Sequence, residues 1–187
     1  MRTGKVRHKI AAEFHRRTGM VRCLQNGHWL EPPFDEFDPC VRLRINRAEA
    51  GCFIHLIHRE GKALFLLATE TLPWQAWWEW ELLQQYMDIS RPLADIPYYE
   101  KYRHLDPATA EYDKKWGRPK DFWYNMDMEL ADHMRMQSDK AAQSYPWGCT
   151  REEALAQGWR SSPYSDENLR NIYPNIASGY HIEIKKD

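Results

Sequence analysis

The chain has 187 residues, with 26 basic and 27 acidic side chains and a formal net charge of −1 at pH 7. This length allows one domain with a hydrophobic core and an appended subdomain. The balanced charge argues against general binding to nucleic acid or to an anionic membrane, since both require a positive field. No apolar run approaches the roughly 20 residues that span a bilayer, and the first residues, MRTGKVRHKIAAEF, lack the apolar stretch of a signal peptide. We therefore expect a soluble cytoplasmic protein that binds neither nucleic acid nor membrane.

The first 70 residues predict an antiparallel β-meander. Residues 6–14 and 20–24 are typical of strands, and the turn HRRTG between them offers Gly19 for a positive φ. Asn26 and Gly27 form the strongest short signal for a hairpin. Residues 28–30 are therefore predicted to return beside the second strand.

A proline-rich segment separates these strands from the next ones. Residues 31–39 read EPPFDEFDP and predict a loop, because proline cannot donate a hydrogen bond to a sheet ladder. Residues 41–45 alternate apolar and basic side chains, as a half-buried strand does. Two apolar runs then flank Glu60 and Gly61, which predicts a tight hairpin.

A tryptophan-rich helix is predicted over residues 71–87. Tryptophan occupies four of the seven positions from Trp74 to Trp80, and the apolar period changes from two to about 3.6 residues. The apolar side chains form two stripes, so the helix is expected to be covered on two sides. We expect Trp74 and Trp78 to close the core of the sheet, and Trp77 or Trp80 to contact the rest of the chain or a partner protein.

The second half of the chain predicts mainly helices. Residues 106–115 and 121–144 have helical patterns, and residues 150–157 begin with a capping box formed by Thr150 and Glu153. Residues 179–187 alternate apolar and polar side chains and predict an edge strand protected by lysines.

Together these elements predict an α+β fold. Residues 1–88 are expected to form an antiparallel β-sandwich or meander, similar to a pleckstrin-homology (PH) domain and closed by the tryptophan-rich helix. Residues 89–187 are expected to form a mainly helical extension that packs on it. A fold of this kind does not by itself define a function.

No arrangement of residues predicts a catalytic site, a cofactor or a metal. The sequence has neither a nucleophile elbow nor a glycine-rich phosphate loop. His55 and His58 are three residues apart, so on a strand they point to opposite faces and cannot easily share a zinc ion. The four cysteines have no C-x-x-C spacing and are expected to be buried thiols.

Basic and aromatic residues are interleaved in YYEKYRHLD and YDKKWGRPKDFWY. Such mixtures occur in stacking platforms for single-stranded nucleic acid, and also on helices whose lysine and arginine side chains lie along the surface. Acidic residues reduce the positive field in both segments and favour the helical surface. These acids are Glu100, Asp106, Asp113 and Asp121.

The proline-rich segment 31–39 is the main candidate for a binding surface. Its acidic residues carry four negative charges and have two phenylalanines between them. Prolines restrict the backbone, and a preorganised acidic surface with aromatic anchors suits a basic cleft on another protein. The alternative is a solvated loop whose phenylalanines cover the sheet. The candidate partner-binding residues are Glu31, Phe34, Asp35, Glu36, Phe37, Asp38, Trp77 and Trp80.

Three stretches of the chain resemble a family of uncharacterised bacterial proteins. They are KIAAEFHRRTGMVRC, PWQAWWEWELLQQYMD and the segment over residues 97–158. Members of this family are encoded near type VI secretion genes and Rhs-type toxin genes. Many members begin with membrane helices, whereas no apolar segment of that length occurs in this chain. The resemblance implies a toxin–antitoxin context and supplies no catalytic residues.

An immunity protein, which binds a cognate effector toxin and occludes its active site, is the function that this context implies. A nuclease toxin would have a basic cleft, and the carboxylates of segment 31–39 could imitate phosphates there. One alternative is an adaptor that loads an effector onto the secretion machinery. A metal-dependent hydrolase is a further alternative. Co-expression with the toxin and metal analysis of the purified protein distinguish the three.

Overall fold

The computed structural model describes residues 12–45, 50–70 and 72–177 and confirms the α+β fold class. Within these residues it contains six strands and five α-helices. The chain divides into two compact units, one ending at Asp88 and the other beginning at Ile89. We call them the N-terminal unit and the C-terminal unit.

The first sheet of the N-terminal unit is a three-stranded meander. Its strands are β1 (Ala12–His15), β2 (Met20–Gln25) and β3 (His28–Leu30), paired antiparallel in that order. The predicted strand residues before Ala12 lie outside the described residues. Asn26 and Gly27 have φ values of 50° and 84°, so the predicted hairpin turn is confirmed.

The second sheet has the antiparallel order β4–β5–β6, with β5 in the centre. Its strands are β4 (Phe37–Ile45), β5 (Ala50–His58) and β6 (Leu64–Glu70). The predicted loop over residues 31–39 is therefore too long, since β4 begins at Phe37 and Pro39 pairs with Leu56. A proline is tolerated there because β4 is an edge strand.

Helix α1 (Pro73–Met87) packs on these sheets through a different face from the predicted one. Ala76 is fully buried, and Trp80 packs against the same apolar cluster as Ala76, which includes Ile54 of β5. Trp78 is 39% exposed, so the prediction that Trp78 closes the core is wrong. The small Ala76 side chain occupies the face that meets the sheet, and one turn later Trp80 reaches the core.

Arg16, in the turn after β1, caps the end of α1. Its side chain is buried, and Nη1 donates to the carbonyl oxygens of Gln85 at 3.1 Å and Asp88 at 2.9 Å and also to that of Tyr86. The last carbonyls of a helix have no partner within the helix, so this guanidinium satisfies groups that would otherwise need water. The cap connects the first sheet to α1.

The C-terminal unit is helical. A 3₁₀-helix (Pro97–Leu105) precedes α2 (Pro107–Trp116), α3 (Met128–Gln143), α4 (Arg151–Ala156) and α5 (Asp166–Ala177). Phe122, Met134, Leu169 and Tyr173 form its buried core. No helix in the described part of the chain is long and apolar enough to cross a membrane.

Two predicted helix starts in this unit have different outcomes. The capping box at the start of α4 is confirmed, since Thr150 Oγ1 accepts from the Glu153 N–H and the Thr150 N–H donates to Glu153 Oε2. The helix predicted over residues 121–144 begins only at Met128, because the Asp127 side chain accepts hydrogen bonds from the first backbone N–H groups of α3. Helix α5 was not predicted from the sequence, and the edge strand predicted over residues 179–187 lies outside the described residues.

Candidate functional site

Residues 31–38 form a fixed segment on the N-terminal unit, which we call the acidic ledge. Its backbone is hydrogen-bonded on both sides. The N–H of Val21 donates to the carbonyl of Pro32 at 2.9 Å, and the N–H of Arg59 donates to the carbonyl of Glu36 at 2.9 Å. A short 3₁₀-helix, Phe34–Glu36, lies between these anchors. The ledge is therefore preorganised.

The two phenylalanines of the ledge point into the core. Phe34 contacts the rings of Phe14 and Trp80, with centroid separations of 6.3 and 5.6 Å. Phe37 is only 3% exposed and packs edge-to-face on Phe65. Phe37 is therefore not placed to contact a partner, and the packing matches the alternative in which the phenylalanines cover the sheet. The buried Phe37 ring and the partly buried Phe34 ring therefore attach the ledge to the core.

The carboxylates of the ledge face solvent. The side chains of Glu31, Glu36 and Asp38 are 64%, 43% and 57% exposed, and Asp35 is also exposed. Because the phenylalanines alternate with these acids and point inward, the charges are displayed outward. The four predicted carboxylates thus lie on one short segment.

Two of these carboxylates have partners at the end of β5. Asp38 accepts a bidentate pair of hydrogen bonds from Arg59, at 3.0 and 3.1 Å, which lowers the pKa of Asp38 below its ordinary value. Glu36 Oε2 lies 2.7 Å from Nε2 of the buried His58. The Nδ1 atom of His58 accepts from the Glu60 N–H, so Nε2 carries the proton that is donated to Glu36.

Arg22 lies beside the other end of the ledge. Its Nε is 3.5 Å from Glu31 and its Nη1 is 3.3 Å from Glu13, while its guanidinium lies 4.5 Å from the ring centre of Trp29. Arg22 and Arg59 thus compensate part of the negative charge, and Asp35 and Glu13 add to it. Among these residues the carboxylates outnumber the arginines.

The two tryptophans predicted to bind a partner differ in position. Trp80 contacts Phe34 from below and belongs to the core that supports the ledge. Trp77, on another face of α1, is half-buried. The structure thus brings Trp80 to the ledge as a support.

The histidines of β5 lie on opposite faces of the sheet, as predicted. His58 is 1% exposed and lies on the core face, whereas His55 alternates with the core residues and lies on the other face. In the described part of the chain, no group of three or more histidine, cysteine, aspartate or glutamate side chains could hold a metal ion.

The C-terminal unit contains a buried network of charges that no sequence pattern predicted. The guanidinium of Arg118 pairs with Asp95 through two hydrogen bonds of 2.8 Å. It also pairs with Glu100 at 3.1 and 2.5 Å and donates to the carbonyl of Pro119. The side chains of Arg118, Asp95 and Glu100 are each at most 3% exposed. All five N–H groups of Arg118 are used within the protein.

A second arginine extends this network. Arg103 donates to both carboxylate oxygens of Asp113, at 2.9 and 2.6 Å, and to the carbonyl oxygens of Leu93 and Ala94, both at 3.2 Å. Its Nη1 lies 3.6 Å from Asp95. The expectation that the acids of this region lie on a helical surface is therefore wrong for Glu100.

Asp95 is the centre of the network. Its carboxylate accepts from Arg118, from the indole Nε1 of Trp123 at 2.8 Å and from the hydroxyl of Tyr173. A carboxylate has about four acceptor positions, and these four hydrogen bonds occupy them. Its partners lie far apart in sequence, so the network holds the 3₁₀-helix, the segment after α2 and α5 together. The charged side chains of this network therefore stabilise the folded C-terminal unit.

Burial and charge act in opposite directions on Asp95. Burial alone would raise its pKa, but the hydrogen bonds from Arg118 and Tyr173 and the charges of both arginines lower it below the ordinary value. Burial and the adjacent Asp95 carboxylate raise the pKa of the Tyr173 hydroxyl, which therefore stays a donor.

Acid is expected to destabilise the C-terminal unit through Asp95. The unfolded carboxyl binds a proton near its ordinary pKa of about 3.9, whereas the folded one remains ionised to lower pH. Its contribution to the free energy of unfolding is thus complete above that value and is lost as the pH falls through the folded pKa. Urea unfolding at several pH values, followed by the indole N–H resonance of Trp123, measures this loss. Asp95→Asn should show a shallower dependence on pH in this range, and an equal slope would contradict the assignment.

Comparisons with protein-family models, with curated proteins and with solved structures find no match to this chain. The functional proposal therefore combines the sequence resemblance with the geometry of the chain's own residues.

Proposed function

We propose that this protein is an immunity protein, which binds a cognate effector toxin of the type VI or Rhs class and neutralises it by covering the active site. The observation that supports the proposal most is the acidic ledge, where exposed carboxylates are displayed on a backbone anchored to β2 and to Arg59, directly after β5. The toxin assignment rests on the sequence resemblance, and the ledge indicates the surface that would bind it.

The ledge is physically suited to a basic partner. Association requires interface residues to become ordered, and a segment that is already fixed avoids much of this loss of entropy. A negative surface also attracts a positive cleft over distances near the Debye length, about 10 Å at ordinary ionic strength, and so raises the association rate. The active site of a nuclease is basic because it binds phosphates, which makes a nuclease toxin a suitable target.

The proposal requires a shaped surface and no chemical turnover. The PH-like arrangement is part of the proposal, supported by antiparallel sheets that share a core with one following helix. Phe34 and Trp80 act in it by supporting the ledge from the core side, and Glu31, Asp35, Glu36 and Asp38 make the contacts.

Co-expression with the product of the neighbouring gene, which the proposal expects to be the toxin, tests the function. We expect bacteria that produce the active toxin to resume growth when the wild-type chain is supplied, because a covered active site cannot reach its substrate. Growth is measured as colony number against a vector control. A catalytically inactive toxin should bind the chain in a pull-down. Binding without growth rescue would favour the adaptor instead. If the chain neither binds the toxin nor rescues growth, both the immunity function and the adaptor function are rejected.

A further inference from the structure

The C-terminal unit contains an open cleft with a volume of about 610 Å³. It lies between the last turns of α3 and the segment that follows α4, around Trp159 and Pro163. Its size falls within the range of roughly 300–1,000 Å³ that is usual for small-molecule sites. The cleft belongs to the other unit from the acidic ledge, so an inference about it does not rest on the proposed function.

The walls of the cleft are rich in hydrogen-bond donors and carry positive charge. Lys140 and Arg160 contribute two cations, and no acidic residue is among the described residues that line it. Ser161 and Gln137 also line it and carry neutral donors, whereas the Ser144 hydroxyl donates to the carbonyl of Ala141 at 3.1 Å. In a chain with a net charge of −1, this local composition favours an anion.

Several contacts hold these walls in place. The indole Nε1 of Trp159 donates to the carbonyl of Ala141 at 2.9 Å, and its ring packs edge-to-face on Tyr145 at a centroid separation of 5.0 Å. Nη1 of Arg160 donates to the carbonyl of Trp159 at 2.8 Å, which orients the guanidinium. Gly158 turns the chain out of α4 with a φ of 94°. The segment with Arg160 is thus attached to α3 before any ligand arrives.

We propose that this cleft binds a small organic phosphate. A guanidinium and an ammonium supply charge-assisted hydrogen bonds to a phosphate, and the Ser161 hydroxyl and the Gln137 amide supply neutral donors for its remaining oxygens. Ala141, Pro146 and Trp159 provide an apolar surface for the organic part. A carboxylate has only two oxygens and would use fewer of these donors, so the arrangement discriminates in favour of the phosphate.

Titration of the full chain with phenyl phosphate tests the proposal. We expect a saturable shift of the Trp159 indole N–H resonance, with a Kd of roughly 1 mM for a ligand of this size. Benzoate, which has the same ring and a carboxylate, should bind at least about fivefold more weakly, while inorganic phosphate should bind but lack the contribution of the ring. No saturable shift up to about 10 mM, or equal affinity for benzoate and phenyl phosphate, would overturn the proposal.

Matched variants locate the site. Lys140→Gln and Arg160→Gln each remove one cation from an exposed position and should raise the Kd for phenyl phosphate about tenfold. Arg135→Gln removes a cation from the exposed side of the same α3 helix, where Arg135 pairs with Asp132 and Asp139, and should leave the Kd unchanged. If all three variants bind with the wild-type affinity, or if Arg135→Gln weakens binding equally, the cleft is not the site.

Discussion

Replacing Arg118 with methionine is expected to lower the free energy of unfolding of the C-terminal unit by about 3–5 kcal/mol. Methionine approximates the length of the arginine stem but leaves the carboxylates of Asp95 and Glu100 buried without their main partner. A domain is stable by only about 5–15 kcal/mol, so this loss is a large fraction of the total. Urea unfolding, together with hydrogen exchange of amides in residues 89–177, measures the effect in the correct unit.

Arg135→Met is the matched control for this substitution. Arg135 is 66% exposed, and its pairs with Asp132 at 3.5 Å and Asp139 at 3.6 Å are on the surface. Exposed pairs of this kind contribute about 0–1 kcal/mol, so the control should unfold near the wild-type midpoint. Adding Asp95→Asn and Glu100→Gln to Arg118→Met should restore part of the loss, since the buried charges are then neutral. Equal midpoints for Arg118→Met and Arg135→Met would show that the network does not stabilise the fold.

The second large effect is expected at the acidic ledge, in the rate of toxin binding. The double substitution Glu31→Lys and Asp35→Lys reverses two exposed charges and should slow association by roughly 10- to 100-fold, because electrostatic attraction to a basic cleft becomes repulsion. Glu36 and Asp38 are left intact because His58 and Arg59 depend on them. Stopped-flow association with catalytically inactive toxin at low and high salt measures the change, which should shrink as salt screens the charges.

A control with the same change in net charge separates the ledge from the whole-molecule field. Glu111 and Asp132 are exposed acids on α2 and α3, away from the ledge in sequence and in a different unit. Glu111→Lys with Asp132→Lys should alter the association rate far less than the ledge variant. Equal slowing by both variants, or no slowing by either, would remove the ledge from the proposed interface.

Local sequence signals determined much of the N-terminal unit and one helix start in the C-terminal unit. Asn26 and Gly27 define the hairpin because both accept the positive φ that its turn requires. Alternation along residues 41–45 predicted part of β4, since a strand shows its buried face every second residue, and the apolar runs beside Glu60 and Gly61 predicted the β5–β6 hairpin. The capping box of Thr150 and Glu153 was equally readable, because both partners lie within one helical turn.

The candidate site was only partly predictable. The exposure of the carboxylates in residues 31–38 could be predicted from composition. The inward orientation of the Phe37 side chain depends on where β4 starts, which composition does not show. On α1 the apolar side chains form two stripes, so periodicity alone could not tell whether Trp78 or Trp80 faces the sheet. Which tryptophan faces the sheet depends on which one fits against Ile54 and Phe34, and both of these residues lie in other parts of the chain.

The charge network shows most clearly what the tertiary structure alone decided. In sequence, Asp95, Glu100 and Arg118 resemble the many charged residues that cover helices, and nothing local marks them as buried. Burying a charge is unfavourable unless partners surround it, and the partners of Asp95 include Tyr173, 78 residues away. Hairpins and caps are determined by neighbours along the chain. Which charges and which tryptophans become buried is determined by distant segments that meet only in the folded protein.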